Sequence, residues 1–129
     1  MEEFTVEEVI SYHIEIILAS DREEDRGMEG KLLTPGNLYF VVEFSSGYSD
    51  PFERAAFILH GLATGHAFIE GNKRIAFLLA SLVLSRTPER YDIVSSPEEN
   101  DRFVRDVAEG KTTIKDVEIW LRFVTKKDC

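Results

Sequence analysis

The chain predicts an all-α fold: a single compact helical domain over residues 1–129, with five to six helices around one buried helix. Three observations lead there. Ile75, Ala76, Phe77, Leu78, Leu79, Ala80, Ser81, Leu82, Val83 and Leu84 are apolar almost all the way round at helical spacing, so this helix belongs in the centre. Helix starts recur along the chain, each a short side-chain acceptor followed by an acid or a proline. Finally, 129 residues, 43% of them hydrophobic, suffice to bury one core and leave no room for a second domain.

The elements follow in order. In Phe4-Thr5-Val6-Glu7-Glu8-Val9, Thr5 caps, Glu8 completes a capping box and Phe4 staples onto Val9, opening a helix to about Ala19. His13 shares a stripe with Val9, Ile10, Ile16 and Ile17, which makes it a satisfied core or boundary histidine rather than a ligand. Asp21 through Lys31 is charged and glycine-punctuated, without helical apolar spacing, and reads as an exposed loop or hairpin. Residues 38–44 are rich in strand formers, yet Thr34-Pro35 is a helix start, and a short helix is expected. Asp50-Pro51-Phe52-Glu53 starts a clearer helix: Asp50 caps, Pro51 fills the first position, Glu53 reaches back and Gly65 closes it. Ser96-Pro97-Glu98-Glu99 caps a helix that ends before Gly110. Thr113 opens a last one bearing Ile114, Val117, Trp120, Leu121 and Val124.

Bulk properties exclude several classes. The formal charge of −9 disfavours a broad nucleic-acid surface, which needs clustered cations to neutralise phosphates. No apolar run is long enough to span a bilayer, and Met1-Glu2-Glu3-Phe4 lacks the basic and apolar regions of a signal peptide, so a cytoplasmic protein is expected. Cys129 is the single cysteine; without an internal partner or metal-ligand companions it is expected to be functionally silent. His60 and His66 do not share a helical face, which argues against a two-histidine metal site.

The chemistry gathers in His66-Ala67-Phe68-Ile69-Glu70-Gly71-Asn72-Lys73-Arg74, directly before the apolar helix. Lys73 and Arg74 fall in its first turn, where the macrodipole is already positive; each cation there is mismatched by roughly 0.3–1 kcal/mol unless an anion neutralises it. Gly71 permits close backbone approach and Asn72 is a plausible cap, so the helix start is an anion site, with phosphate its common occupant. Glu70 would repel that phosphate unless a divalent cation lies between, and Mg²⁺ fits. His66 has the unperturbed pKa of a general base near neutral pH. Taken singly, each residue also fits a solvated loop, with His66 bonded to backbone. The combination, two violations of the dipole rule at the mouth of a buried helix, is what a functional site looks like.

These residues fill every defined position of the Fic/Doc motif, HxFx(D/E)GN(G/K)R, and resemble most closely its Doc (death-on-curing) branch. The flanking helices and the segments Val107-Ala108-Glu109-Gly110-Lys111 and Trp120-Leu121-Arg122 also look like Doc-type domains. The resemblance implies a Fic/Doc helical domain in which His66 deprotonates a hydroxyl on a target protein and Glu70 helps hold Mg²⁺. It further implies that Gly71 and Asn72 form the anion hole, Arg74 binds phosphate and Phe68 anchors the loop. Ala67 stands where proline is frequent, which touches loop stiffness. The region of the Asp21–Lys31 loop corresponds to the flap that aligns the target by strand-like pairing.

Two positions separate the branches. Lys73 is typical of Doc, which transfers the terminal phosphate to a translation elongation factor, and Phe77 replaces a second arginine used by AMP-transferring relatives. Gly71, where Doc has alanine, is Fic-like. The expectation is a Doc-like toxin that transfers a phosphoryl group from Mg²⁺-bound ATP, or another NTP, to a Ser or Thr hydroxyl. His66, Lys73 and Arg74 would be catalytic, Gly71, Asn72, Lys73 and Arg74 would bind the nucleotide, and Glu70 would bind the metal. The expected partners are a protein substrate and an antitoxin chain, as in the Phd/Doc pair, with no membrane partner. The alternatives are a Fic-type adenylyltransferase and a non-catalytic protein-binding module. Ser95 to Asn100 matches the (S/T)xxxE(G/N) pattern of the Fic inhibitory helix, but the same residues already explain a helix cap, which is the reading expected of Glu99.

Overall fold

A computed structural model describes residues 4–127. The expectations for Met1-Glu2-Glu3 and Cys129 lie outside the described residues. The elements are α1 (Val6–Leu18), a 3-10 turn (Glu23–Asp25), α2 (Pro35–Ser45), α3 (Pro51–Gly65), α4 (Asn72–Ser85), β1 (Tyr91–Ile93), α5 (Pro97–Ala108), α6 (Ile114–Val124) and β2 (Thr125–Lys127). Among the described residues the architecture is all-α, with six α-helices and one small two-stranded sheet.

Local signals set the helix boundaries. The Thr5 hydroxyl accepts from the Glu8 N–H while the Glu8 carboxylate accepts from the Thr5 N–H, and Thr113 with Asp116 repeats this box at α6. Asp50 accepts from the N–H of Phe52 at 2.8 Å, and Ser96 from that of Glu99. The Glu53 carboxylate, expected to reach back, makes no hydrogen bond among the described residues. Gly65 is the last residue of α3, and the left-handed cap falls one position later, on His66.

Helix α3 packs against α2, α4, α5 and α6, while α4 packs against α1, α3, α5 and β1. The centre is therefore shared. Ala55, Ala56, Ile58, Leu59, Leu62 and Ala63 of α3 meet Ile75, Ala76, Leu79, Ala80, Val83 and Leu84 of α4, all buried. Each fully buried Leu or Ile contributes roughly 1.5–3 kcal/mol, so this pair dominates the hydrophobic stabilisation. Helix α2 lies very close to α3: a Cβ on Gly65 would sit 2.0 Å from Asn37 Nδ2. The overlap is with the end of the Asn37 side chain, whose Nδ2 donates to Gly61 C=O, so a side chain at position 65 would have to displace that bond.

Two features depart from expectation. Tyr91–Ile93 pairs antiparallel with Thr125–Lys127, and Tyr91 packs edge-on against Phe52 at 4.8 Å. Strands this short carry no alternation long enough to read, and the pairing joins segments on either side of α5 and α6. The Asp21–Lys31 segment is a largely exposed loop, one of the two expected forms, with a 3-10 turn at Glu23–Asp25, but its Asp25 is buried.

Candidate active site

The loop 66–71 joins the C-terminus of α3 to the N-terminus of α4 and carries the motif. His66 has φ 51° and ψ 48°, a left-handed conformation that costs an L-residue roughly 1–2 kcal/mol. It ends α3 abruptly and leaves the imidazole exposed. Strain of this kind persists where the surroundings over-determine it, and it clusters at functional sites.

The surroundings do so here. Ala67 C=O accepts from the N–H groups of Leu33 and Thr34, at 2.8 and 3.1 Å, and Ile69 N–H donates to Lys31 C=O at 3.1 Å. The Asn72 side chain closes the loop from inside: its Oδ1 accepts from Phe68 N–H at 2.9 Å and its Nδ2 donates to Phe68 C=O at 2.8 Å. Asn72 is therefore the first residue of α4 and a clip on the loop, while Gly71, at φ 82°, is the N-cap and makes no side-chain bond. This corrects the expectation that Asn72 caps, and the reason is local. The carboxamide is spent on the loop instead of the helix start: its acceptor and donor atoms match the N–H and C=O of Phe68, one each.

His13 takes the Glu70 end of the loop. The Gly30 N–H donates to Nδ1 at 3.0 Å, so the ring proton is on Nε2, which donates to Glu70 C=O at 2.7 Å. The ring is fully buried and stacked on Phe68, centroids 3.7 Å apart and planes 6° from parallel. Burial pushes the His13 pKa below its ordinary value, the Glu70 carbonyl opposes this, and the nearby Arg74 charge adds to the lowering. Sequence reasoning recognised a satisfied histidine and missed what satisfies it. Its stripe position gave no hint of a loop 57 residues away.

Arg74 is gripped by the carboxylate of Asp25, with Nη1 to Oδ2 at 2.8 Å and Nη2 to Oδ1 at 2.9 Å. Asp25 is 1% exposed and accepts a further bond from Ser20 Oγ at 2.6 Å. The Arg74 bond, assisted by Ser20 and partly opposed by burial, lowers the Asp25 pKa to about 2. The expected solvated loop thus supplies the counter-charge for the misplaced arginine. Two guanidinium N–H bonds are used, and the side chain is 31% exposed, which leaves donors for an anion. Glu99 is exposed and forms no ion pair with Arg74, whose carboxylate partner is Asp25.

Against this bonded frame, the side chains of His66, Glu70 and Lys73 make no hydrogen bond or ion pair among the described residues. Nor do the N–H groups of Gly71, Asn72, Lys73 and Arg74 find acceptors there. Those are the orphan donors of a helix start. Beside them a groove of about 560 Å³ runs between α4 and α5, walled by Ile16, Phe77, Leu78 and Val104, with Ser81 and Asn100 for polarity and Lys73 and Arg74 at its mouth.

Residues 3–84 match the sequence model of the Fic/DOC family, and the chain belongs to that family, whose members are generally transferases. No curated protein matches the chain. The matched region holds α1 to α4 and every motif residue, whereas α5 and α6, including the late segments likened to Doc, fall outside it. Among the described residues no helix is long and apolar enough to cross a membrane.

Proposed function

We propose that this protein is a Doc-like toxin that transfers the γ-phosphoryl group of a nucleoside triphosphate to a Ser or Thr hydroxyl of a cytoplasmic protein, with an antitoxin chain as its regulator. The observation that carries the reading is the contrast within the motif. Main-chain groups of Ala67, Phe68, Ile69 and Glu70 are bonded to the connector, Asn72 and His13, while the base, the acid, one cation and the N–H groups at the helix start are left without partners among the described residues. Phosphoryl transfer asks a protein for positioning and electrostatics, and this arrangement supplies both.

In this reading His66 takes the hydroxyl proton as the oxygen bonds to the γ-phosphorus and the nucleoside diphosphate leaves. Lys73 and the remaining Arg74 donors offset the charge on the transferring group, and the N–H groups of Gly71 and Asn72 bind phosphate oxygens. Among the described residues no three His, Cys, Asp or Glu side chains gather at one point. A metal would therefore take Glu70 and phosphate oxygens, the mode that suits Mg²⁺, and would supply charge neutralisation. The apolar walls of the α4–α5 groove suit a nucleobase.

Nucleotidyl transfer is the second reading, favoured by Gly71, which is Fic-like where Doc has alanine. Against it, Phe77 lines the groove where adenylylating relatives carry a cation. Incubation of the native chain and of His66→Ala with lysate protein, Mg²⁺ and ATP labelled at the α- or γ-phosphate decides. Label from γ alone, lost in the variant, is expected; label from α would establish nucleotidyl transfer. Growth arrest in cells that survives His66→Ala would sink both enzyme readings.

A further inference from the structure

His13 spends both ring nitrogens on main chain: one on Gly30 in the connector and one on Glu70 in the motif loop. The second bond has a stereochemical consequence. The Glu70–Gly71 peptide is trans, as all described peptides are, and in a trans unit the C=O and the following N–H point in opposite directions. A Glu70 carbonyl turned inward onto His13 Nε2 therefore turns the Gly71 N–H outward, toward the open end of α4. Gly71 N–H finds no acceptor there. The ring also occupies the space beside Gly71, where a Cβ would lie 3.3 Å from Nε2 and 3.1 Å from Ile17 Cδ1.

We propose that His13 is a positioning residue for transfer: its Nε2–H fixes the orientation of the Glu70–Gly71 peptide and so aims the Gly71 N–H at the anion. The proposal rests on the transferase reading for its catalytic consequence. The Phe68 stack holds the ring in plane, and the Gly30 N–H holds the tautomer that donates from Nε2. Without that proton the part-buried Glu70 carbonyl loses its donor, and the peptide is free to flip and withdraw an anion-binding N–H.

Two variants separate this role from mere core packing. His13→Gln places an amide N–H near Nε2 and keeps the donor to Glu70; His13→Asn places an amide oxygen near Nδ1 and keeps only the acceptor for Gly30. Both lose the stack on Phe68, so both lower the melting temperature. Loss of transfer in His13→Asn by about 10-fold or more, with His13→Gln largely retaining activity, is expected, since misplacing one donor is felt at that scale. The readout independent of activity is NMR: the Glu70 carbonyl ¹³C shift should stay at its hydrogen-bonded value in His13→Gln and move in His13→Asn. On titration with sodium phosphate, the Gly71 amide should respond in the native chain and in His13→Gln only. Equal activity and equal Gly71 responses in the two variants would overturn the proposal. A native chain without transferase activity but with the expected carbonyl pattern would overturn the functional reading and leave the positioning of the peptide standing.

Discussion

The motif loop 66–74 and the connector 20–34 divide the work of the site in opposite ways. In the motif loop the side chains of His66, Glu70 and Lys73 are unbonded among the described residues while the backbone of residues 67–70 is tied down; the connector's backbone and one carboxylate do much of the tying, including the grip on Arg74. Lys31, Leu33 and Thr34 hold the loop's backbone, Gly30 orients the histidine that holds Glu70, and Asp25 holds Arg74. A site can thus be chemically legible in one segment and mechanically dependent on another that looks like solvent-facing filler.

His66→Gly should give the largest effect. If His66 is the base, as proposed, its removal should lower transfer by about 10²-fold or more. The same change relieves a left-handed non-glycine residue and should raise stability by roughly 0.5–1 kcal/mol. Opposite signs in a labelled-transfer assay and a urea melt would confirm that the strain serves function; a destabilised His66→Gly would mean the imidazole also holds the loop.

Gly65→Ala asks whether the close approach of α2 matters to the loop that starts one residue later. With the new Cβ 2.0 Å from Asn37 Nδ2, a loss of about 3 kcal/mol, the upper end of the overpacking range, is expected. Adding Asn37→Ala in the same chain should recover part of it, as read in a double-mutant cycle.

Asp25→Asn sharpens the contrast from the connector's side. The folded-state pKa of Asp25 is about 2, below the ordinary 3.8, so the carboxylate binds its proton less readily in the folded chain. Its contribution, about 2 kcal/mol, is fully present above the ordinary value and is lost as pH falls through about 2. Denaturant melts from pH 7 to pH 2 should show that segment of acid destabilisation in the native chain and its absence in Asp25→Asn. Identical profiles would mean that Arg74 gains nothing from the pair.

The smallest effect belongs to Arg105→Ala. Its ion pair with Asp101, at 2.6 Å, is shorter than any Arg74 contact, yet both side chains are 60% exposed. A change of about 0.3–0.5 kcal/mol is expected in the same melt, because water screens the pair and competes for it. Distance alone therefore does not rank these two pairs; burial does.

By itself the sequence determined what is decided within a few residues. The boxes at Thr5 and Thr113, the caps at Asp50 and Ser96, and the apolar periodicity of residues 75–84 act over one or two helical turns, and each formed where local chemistry placed it. The motif was legible for the same reason, since its nine residues are contiguous. Tertiary structure decided what those residues are held by. Asp25 and Arg74 lie 49 positions apart, and His13 and Glu70 lie 57 apart. A charged, glycine-punctuated run is written alike whether it faces solvent or folds back on a helix mouth. The buried Asp25 carboxylate meets the Arg74 guanidinium beside the orphan N–H groups of α4, a pairing that depends on how the connector after α1 folds back onto α4.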